Sequence, residues 1–171
     1  MYLSISQQRL WSLLKFLLIF NLLAIPLHLI LFFEVDFYPL AFIERSQVSF
    51  FLQLFGVPHS LQDVVGLPAI NVNDNLLAIG EACTSIRSLL AFAALVIASP
   101  RSWVDKKRAI VFLPIIYLAN VFRIATLAVI SLSYPSMFDL IHTLLWREGL
   151  VFLMLFLWVY WFSKSDVPIR A

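Results

Sequence analysis

Three residues of this chain belong to the types that carry acyl-transfer chemistry, and each sits in an apolar stretch: Cys83, Arg123 and His142. A thiolate attacks a carbonyl carbon, an imidazole passes a proton to the leaving amine, and a fixed cation stabilises the oxyanion between them. Taken singly, each has a plainer explanation. A lone Cys in a membrane helix is usually a small packing residue, a buried Arg is often paired with a carboxylate such as Glu148, and a His is often a satisfied hydrogen-bonding group, as is expected of His28 and His59. Cys83 is the only cysteine, which excludes an internal disulfide and, without clustered His, a closed zinc site. Arg123 lies inside an otherwise apolar run, where a guanidinium costs about 2.5–3.5 kcal/mol on insertion scales.

The elements that must position these residues follow from composition. Hydrophobic residues make up 62% of 171 and charged ones 13%, with a mean hydropathy of +0.94, far from the averages of soluble domains. A bilayer core needs about 20 consecutive apolar residues per helix, and four runs supply them: residues 11–33, 81–99, 109–133 and 136–162. The expected fold class is an all-α integral membrane protein. It has about four transmembrane helices plus an extracytoplasmic amphipathic helix and a small hairpin, in a single membrane domain of residues 1–171. The first run follows Lys15 without a small-residue cleavage site, so it reads as an uncleaved span that Pro26 kinks. Pro100 and Pro135 end the second and third spans.

Lys and Arg in the short flanks set the orientation. Arg9, Lys15, Arg101, Lys106, Lys107, Arg108, Lys164 and Arg170 fall on one side, which is therefore cytoplasmic and holds both termini. The opposite flanks carry Glu34, Asp36, Glu44, Asp63, Asp74, Glu81 and Asp139, with Arg45 as the clear basic exception. The net charge of +2 forms no separate patch and implies no nucleic acid. Between the first two spans, the segment 34–80 is extracytoplasmic. Its residues 37–57 include Glu44, Arg45, Gln47 and Gln53 and are expected to form an amphipathic helix lying on the outer surface. The short apolar runs that follow, broken by Gly66, Pro68 and Asn73-Asp74-Asn75, form the hairpin.

This layout brings the three chemical residues to one level. Cys83 is expected in the first turn of the second span, where unpaired N–H groups and the helix dipole favour an anion. At ~1.5 Å per residue it lies roughly 5 Å below the outer end, His142 roughly 9 Å and Arg123 roughly 15 Å, the last with a side chain able to reach outward. Asn120 shares a face with Arg123, and Arg87 shares one with Cys83 at i+4. Both are placed behind the reacting groups or against substrate carboxylates, together with Glu81.

The segment Glu81-Ala82-Cys83-Thr84-Ser85-Ile86-Arg87-Ser88-Leu89 resembles the signature of the exosortase/archaeosortase family. Asn120-Val121-Phe122-Arg123-Ile124 resembles its second motif, and His142 on the next helix its third. Order and helix placement agree over residues 64–162. Many bacterial members have Ser-Gly after the Cys; Thr84-Ser85 resembles the archaeal form, and the short chain looks like a minimal core. The resemblance implies catalytic roles for Cys83, Arg123 and His142 in a membrane cysteine transpeptidase that uses no cofactor and no metal. It implies as partners membrane-anchored exported proteins with C-terminal sorting tails, each a short motif, a transmembrane helix and a basic cluster, and membrane lipid as an acceptor. The site would face the extracytoplasmic side of a multi-pass protein of the inner (plasma) membrane. The rival reading is a non-enzymatic assembly factor or transporter subunit in which Arg123 and Arg147-Glu148 form a structural network.

Overall fold

Helix α1 (Ile5–Phe32) runs unbroken through Pro26 in the computed structural model, which describes residues 5–33, 35, 37–80, 83–133 and 148–165. At ~1.5 Å per residue it is about 42 Å long, enough to cross a hydrocarbon core of ~30 Å. Leu10, Leu14, Leu18, Leu22 and Leu29 are all exposed, a surface that suits acyl chains and not water. Its packing partner is α3 (Ile86–Ala98).

Helix α2 (Tyr38–Leu54) starts with Pro39 in its first turn, where a missing N–H costs nothing. It leads into an antiparallel meander of β1 (Ser60–Val64), β2 (Leu67–Val72) and β3 (Asn75–Ala78) in that order, in register Ser60 with Asn71 and Ile70 with Leu77. Both connections are two-residue turns at positive φ, Val65-Gly66 and Asn73-Asp74, the backbone that matches strand twist. Asn and Asp tolerate it; Val65, at φ +52°, is a β-branched residue in a region such residues avoid. The expected hairpin is therefore a three-stranded sheet.

Ser99 and Pro100 end α3, and Ser102 caps α4 (Trp103–Arg108) by accepting from the Asp105 N–H at 3.2 Å. One 3-10 turn (Ala109–Phe112) joins α4 to α5 (Leu113–Ser133), and α6 is described over Glu148–Lys164. The stretches Gln7–Ile30 and Trp103–Ile130 are long and apolar enough to span a membrane. The expected span at 81–99 is shorter: α3 has 13 residues and reaches about 20 Å, less than the ~30 Å a hydrocarbon core requires. The expected start of the last span, 136–147, lies outside the described residues.

A helix occupies 38–54, where an amphipathic helix with its polar face toward water was expected, but its charged residues turn inward. Its Glu44, Arg45 and Ser49 are buried, while Phe42, Ile43, Phe50 and Leu54 are exposed. The polar residues have partners inside. Arg45 ion-pairs with Asp63 of β1 and donates to the Gln62 carbonyl at 3.0 Å, and Ser49 Oγ lies 2.7 Å from His59 Nε2. His59 Nδ1 is 2.9 Å from the Val57 carbonyl, so Nδ1 carries the proton and Nε2 accepts from the Ser49 hydroxyl. His59 is thereby a satisfied structural residue.

Two apolar cores result. One joins Ala41, Val48 and Leu52 of α2, Ile70 and Val72 of β2, and Ile79 to Val121, Ile124, Ala125 and Ala128 of α5, with Cys83 packed against it. The other joins Phe92, Leu95 and Val96 of α3 to Ala109, Ile116, Met154, Leu157 and Trp161, with Phe16 and Phe20 of α1 against it.

Candidate active site

Cys83 stands in the turn before α3, three residues ahead of the first helical residue, and not in the first turn of the helix. Its N–H donates to the Gly80 carbonyl at 2.9 Å. Ser85 is the residue that caps α3, and it does so without its own side chain. The anion at this helix N-terminus is the Glu44 carboxylate: its Oε1 accepts from the Ser85 N–H at 2.9 Å. The dipole expected to favour the Cys83 thiolate is thus answered by a carboxylate from α2.

Asn120, fully buried on α5, joins the pieces. Its Nδ2 donates to the Cys83 carbonyl at 2.9 Å and to Glu44 Oε2 at 3.3 Å, and its Oδ1 accepts from Arg123 Nη1 at 3.1 Å. The amide orientation is dictated by these partners, two acceptors on one end and a donor on the other. Arg123 is 6% exposed. Its guanidinium is close enough to Cys83, Glu44 and Arg87 to interact electrostatically with all three. Among the described residues its Nε–H has no hydrogen-bond partner.

The half-buried Cys83 thiol shares the electrostatic surroundings of Arg123, Glu44 and Arg87. Burial pushes the Glu44 carboxyl above its ordinary range; the Ser85 and Asn120 hydrogen bonds and the Arg123 charge pull it back. Both of its oxygens accept hydrogen bonds, which favours the charged form against that burial.

Of the residues singled out in the sequence, the structure brings Cys83, Asn120 and Arg123 together, with Arg87 in electrostatic reach on the first turn of α3. Glu81 and His142 lie outside the described residues. Glu44 was not singled out. The signal was present in Glu44-Arg45, a charged pair inside an apolar run, but it was read as the wet face of a surface helix. No cluster of metal-ligating side chains occurs among the described residues.

The family model of the transmembrane exosortases matches residues 1–165, nearly the whole chain. No curated protein and no solved structure matches it. The chain belongs to the transmembrane exosortase family and is a membrane protein.

Proposed function

We propose that this exosortase-family chain is a cysteine transpeptidase that cleaves the C-terminal sorting tails of exported membrane-anchored proteins at the outer boundary of the bilayer. The observation that carries the reading is the Asn120 side chain, which ties the Cys83 backbone, in the turn before α3, to the Arg123 guanidinium of α5. Cys83 Sγ, as thiolate, attacks the scissile carbonyl carbon. Negative charge moves to the carbonyl oxygen, and Arg123, whose Nε–H is unpartnered among the described residues, donates to it. When the intermediate collapses, the C–N bond breaks and the amine takes a proton from His142, leaving a thioester on Cys83. An acceptor amine, such as one on a lipid headgroup, or water then attacks the thioester, gives its proton to His142 and releases the thiol. No metal or organic cofactor enters this sequence. The role of His142 rests on its place in the family motif.

Depth suits this substrate. Helix α3 is short, so a thiol in the turn before it sits below the outer surface, where a tail that itself spans the bilayer presents its scissile bond. The orientation has both termini and the 101–108 loop in the cytoplasm and the sheet outside.

The test is co-expression with a tailed substrate, followed by the masses of substrate and enzyme. Cys83→Ala should leave the substrate at full length while still binding its transmembrane segment. Cys83→Ser should be folded and nearly inactive, because a hydroxyl supplies almost no anion. His142→Ala should stop turnover, with an acyl group on Cys83 that hydroxylamine releases where His142 mainly serves the second step. Normal cleavage by Cys83→Ala would end the transpeptidase reading.

A further inference from the structure

Glu44 is fully buried and comes from a helix that carries none of the family motifs. A carboxylate withdrawn from water needs compensation, and this one has it from two separate elements: the Ser85 N–H at 2.9 Å and the Asn120 amide at 3.3 Å. Both donors belong to the machinery of the site. Ser85 follows Cys83 by two residues, and the Asn120 amide uses its other hydrogen on the Cys83 carbonyl and its oxygen on Arg123.

We propose that Glu44 is a positioning residue of the acyl-transfer reaction: its carboxylate, seated between the start of α3 and Asn120, sets the Cys83 thiol and the Arg123 guanidinium against each other. The inference rests on the transpeptidase reading. Only a carboxylate fits the place. A glutamine would keep one acceptor for the Ser85 N–H and would turn its NH2 toward the NH2 of Asn120, two donors facing each other. Asn120 would then have to flip, losing its bond to the Cys83 carbonyl and turning its NH2 toward Arg123. The second reason is charge. Arg123 sits in an apolar span, and Glu44 is a counter-charge that lets it stay there without closing its Nε–H, which a bidentate pair would consume.

The cost of this arrangement falls on the thiol. The charged groups facing Cys83 are Arg123 from α5 and Arg87 from α3, which favour the thiolate, and Glu44 from α2, which opposes it. Those facing Glu44 are Arg123 and Cys83, with the Tyr117 phenol on the same face of α5 as Asn120. Glu44→Gln should therefore produce two changes of opposite sense: a thiol that ionises more readily and a reaction that runs more slowly. A residue that only packed would not produce that pair.

The experiment uses the full chain in detergent, where Cys83 is the single thiol. The rate of its alkylation by iodoacetamide, a neutral probe, is followed against pH in wild type and Glu44→Gln, and cleavage of a co-expressed tailed substrate is measured for both. The expected result is a lower alkylation midpoint in Glu44→Gln, with cleavage at least about tenfold slower. An unmoved midpoint, or a moved midpoint with full cleavage, overturns the proposal. Should Glu44→Gln fail to accumulate, Glu44→Asp carries the test: it keeps the charge and loses the reach, so cleavage should fall about tenfold with the midpoint in place, and unchanged cleavage overturns the proposal. Failure of the transpeptidase reading itself looks different. Wild type would leave the substrate whole while the midpoints of wild type and Glu44→Gln still differed.

Discussion

The two cores are built along the same helix, α5, and their polar groups are bonded in different ways. At the end near α4, neutral donors close the structure: Trp158 Nε1 donates to Ser99 Oγ at 2.9 Å, Trp161 Nε1 to the Asp105 carbonyl at 3.0 Å, and Ser102 Oγ to Asp105 Oδ2 at 2.7 Å. Arg101 adds a bond to the Phe162 carbonyl at 2.8 Å and lies over the Phe162 ring. These contacts clamp the turn between α3 and α5 onto α6. At the level of Cys83 two buried charges of opposite sign, Glu44 and Arg123, are linked through the Asn120 amide, and these groups come from two helices and the turn before α3. The first arrangement holds a chain in place; under the proposed function the second meets a charge that forms during reaction. Under the proposed function, stability and chemistry are separated along one helix, and substitutions at the two levels should show it.

The largest expected effect is all-or-none and concerns the sides on which the two levels lie. In a Cys83→Ala background, a cysteine replacing the exposed Trp103 should not react with a membrane-impermeant maleimide in intact cells. Labelling there would place the clamp outside and reverse the assignment of the two levels.

Next in size is Arg123→Lys. An ammonium keeps the charge but lacks the planar fork that donates to Asn120 and to an oxyanion together. Cleavage should fall by about 100-fold with the melting temperature of the detergent-solubilised protein little changed. Unimpaired cleavage would return Arg123 to a structural role.

At the clamp the pattern should invert. Trp161→Phe keeps most of the buried ring and loses the indole bond to the Asp105 carbonyl, at a cost of about 1 kcal/mol. Thermal unfolding should occur at a lower temperature while cleavage, measured where the variant is folded, stays near wild type. A large loss of cleavage there would mean that the two levels are coupled through α5. The smallest effect is expected in the sheet, where Val65→Asn relieves a β-branched residue at φ +52° and should stabilise by about 0.5 kcal/mol without touching cleavage.

Much of this molecule was legible in the residues. Long apolar runs marked α1 and α5, because a helix that faces only lipid or an apolar core needs no alternation of polar and apolar residues. Pro100 marked the end of α3, and Asn73-Asp74 a tight turn, because both constraints are local backbone chemistry. The motif segments around Cys83 and Arg123 pointed to the family, and Asn120 was reached through its helical spacing from Arg123. Three things were decided only by tertiary structure. The inward face of α2 depended on partners at Asp63, Gln62, Ser85 and Asn120, and charge in an apolar run indicates solvent until such partners are known. The start of α3 after Cys83 depended on Glu44 taking the place of a cap that the local sequence does not supply. Glu44 as part of the site depended on contacts 41 and 76 residues away along the chain. Periodicity and capping are written within a few residues of where they act. A buried carboxylate is stable only where remote donors converge on it, and that convergence exists only once the chain has folded.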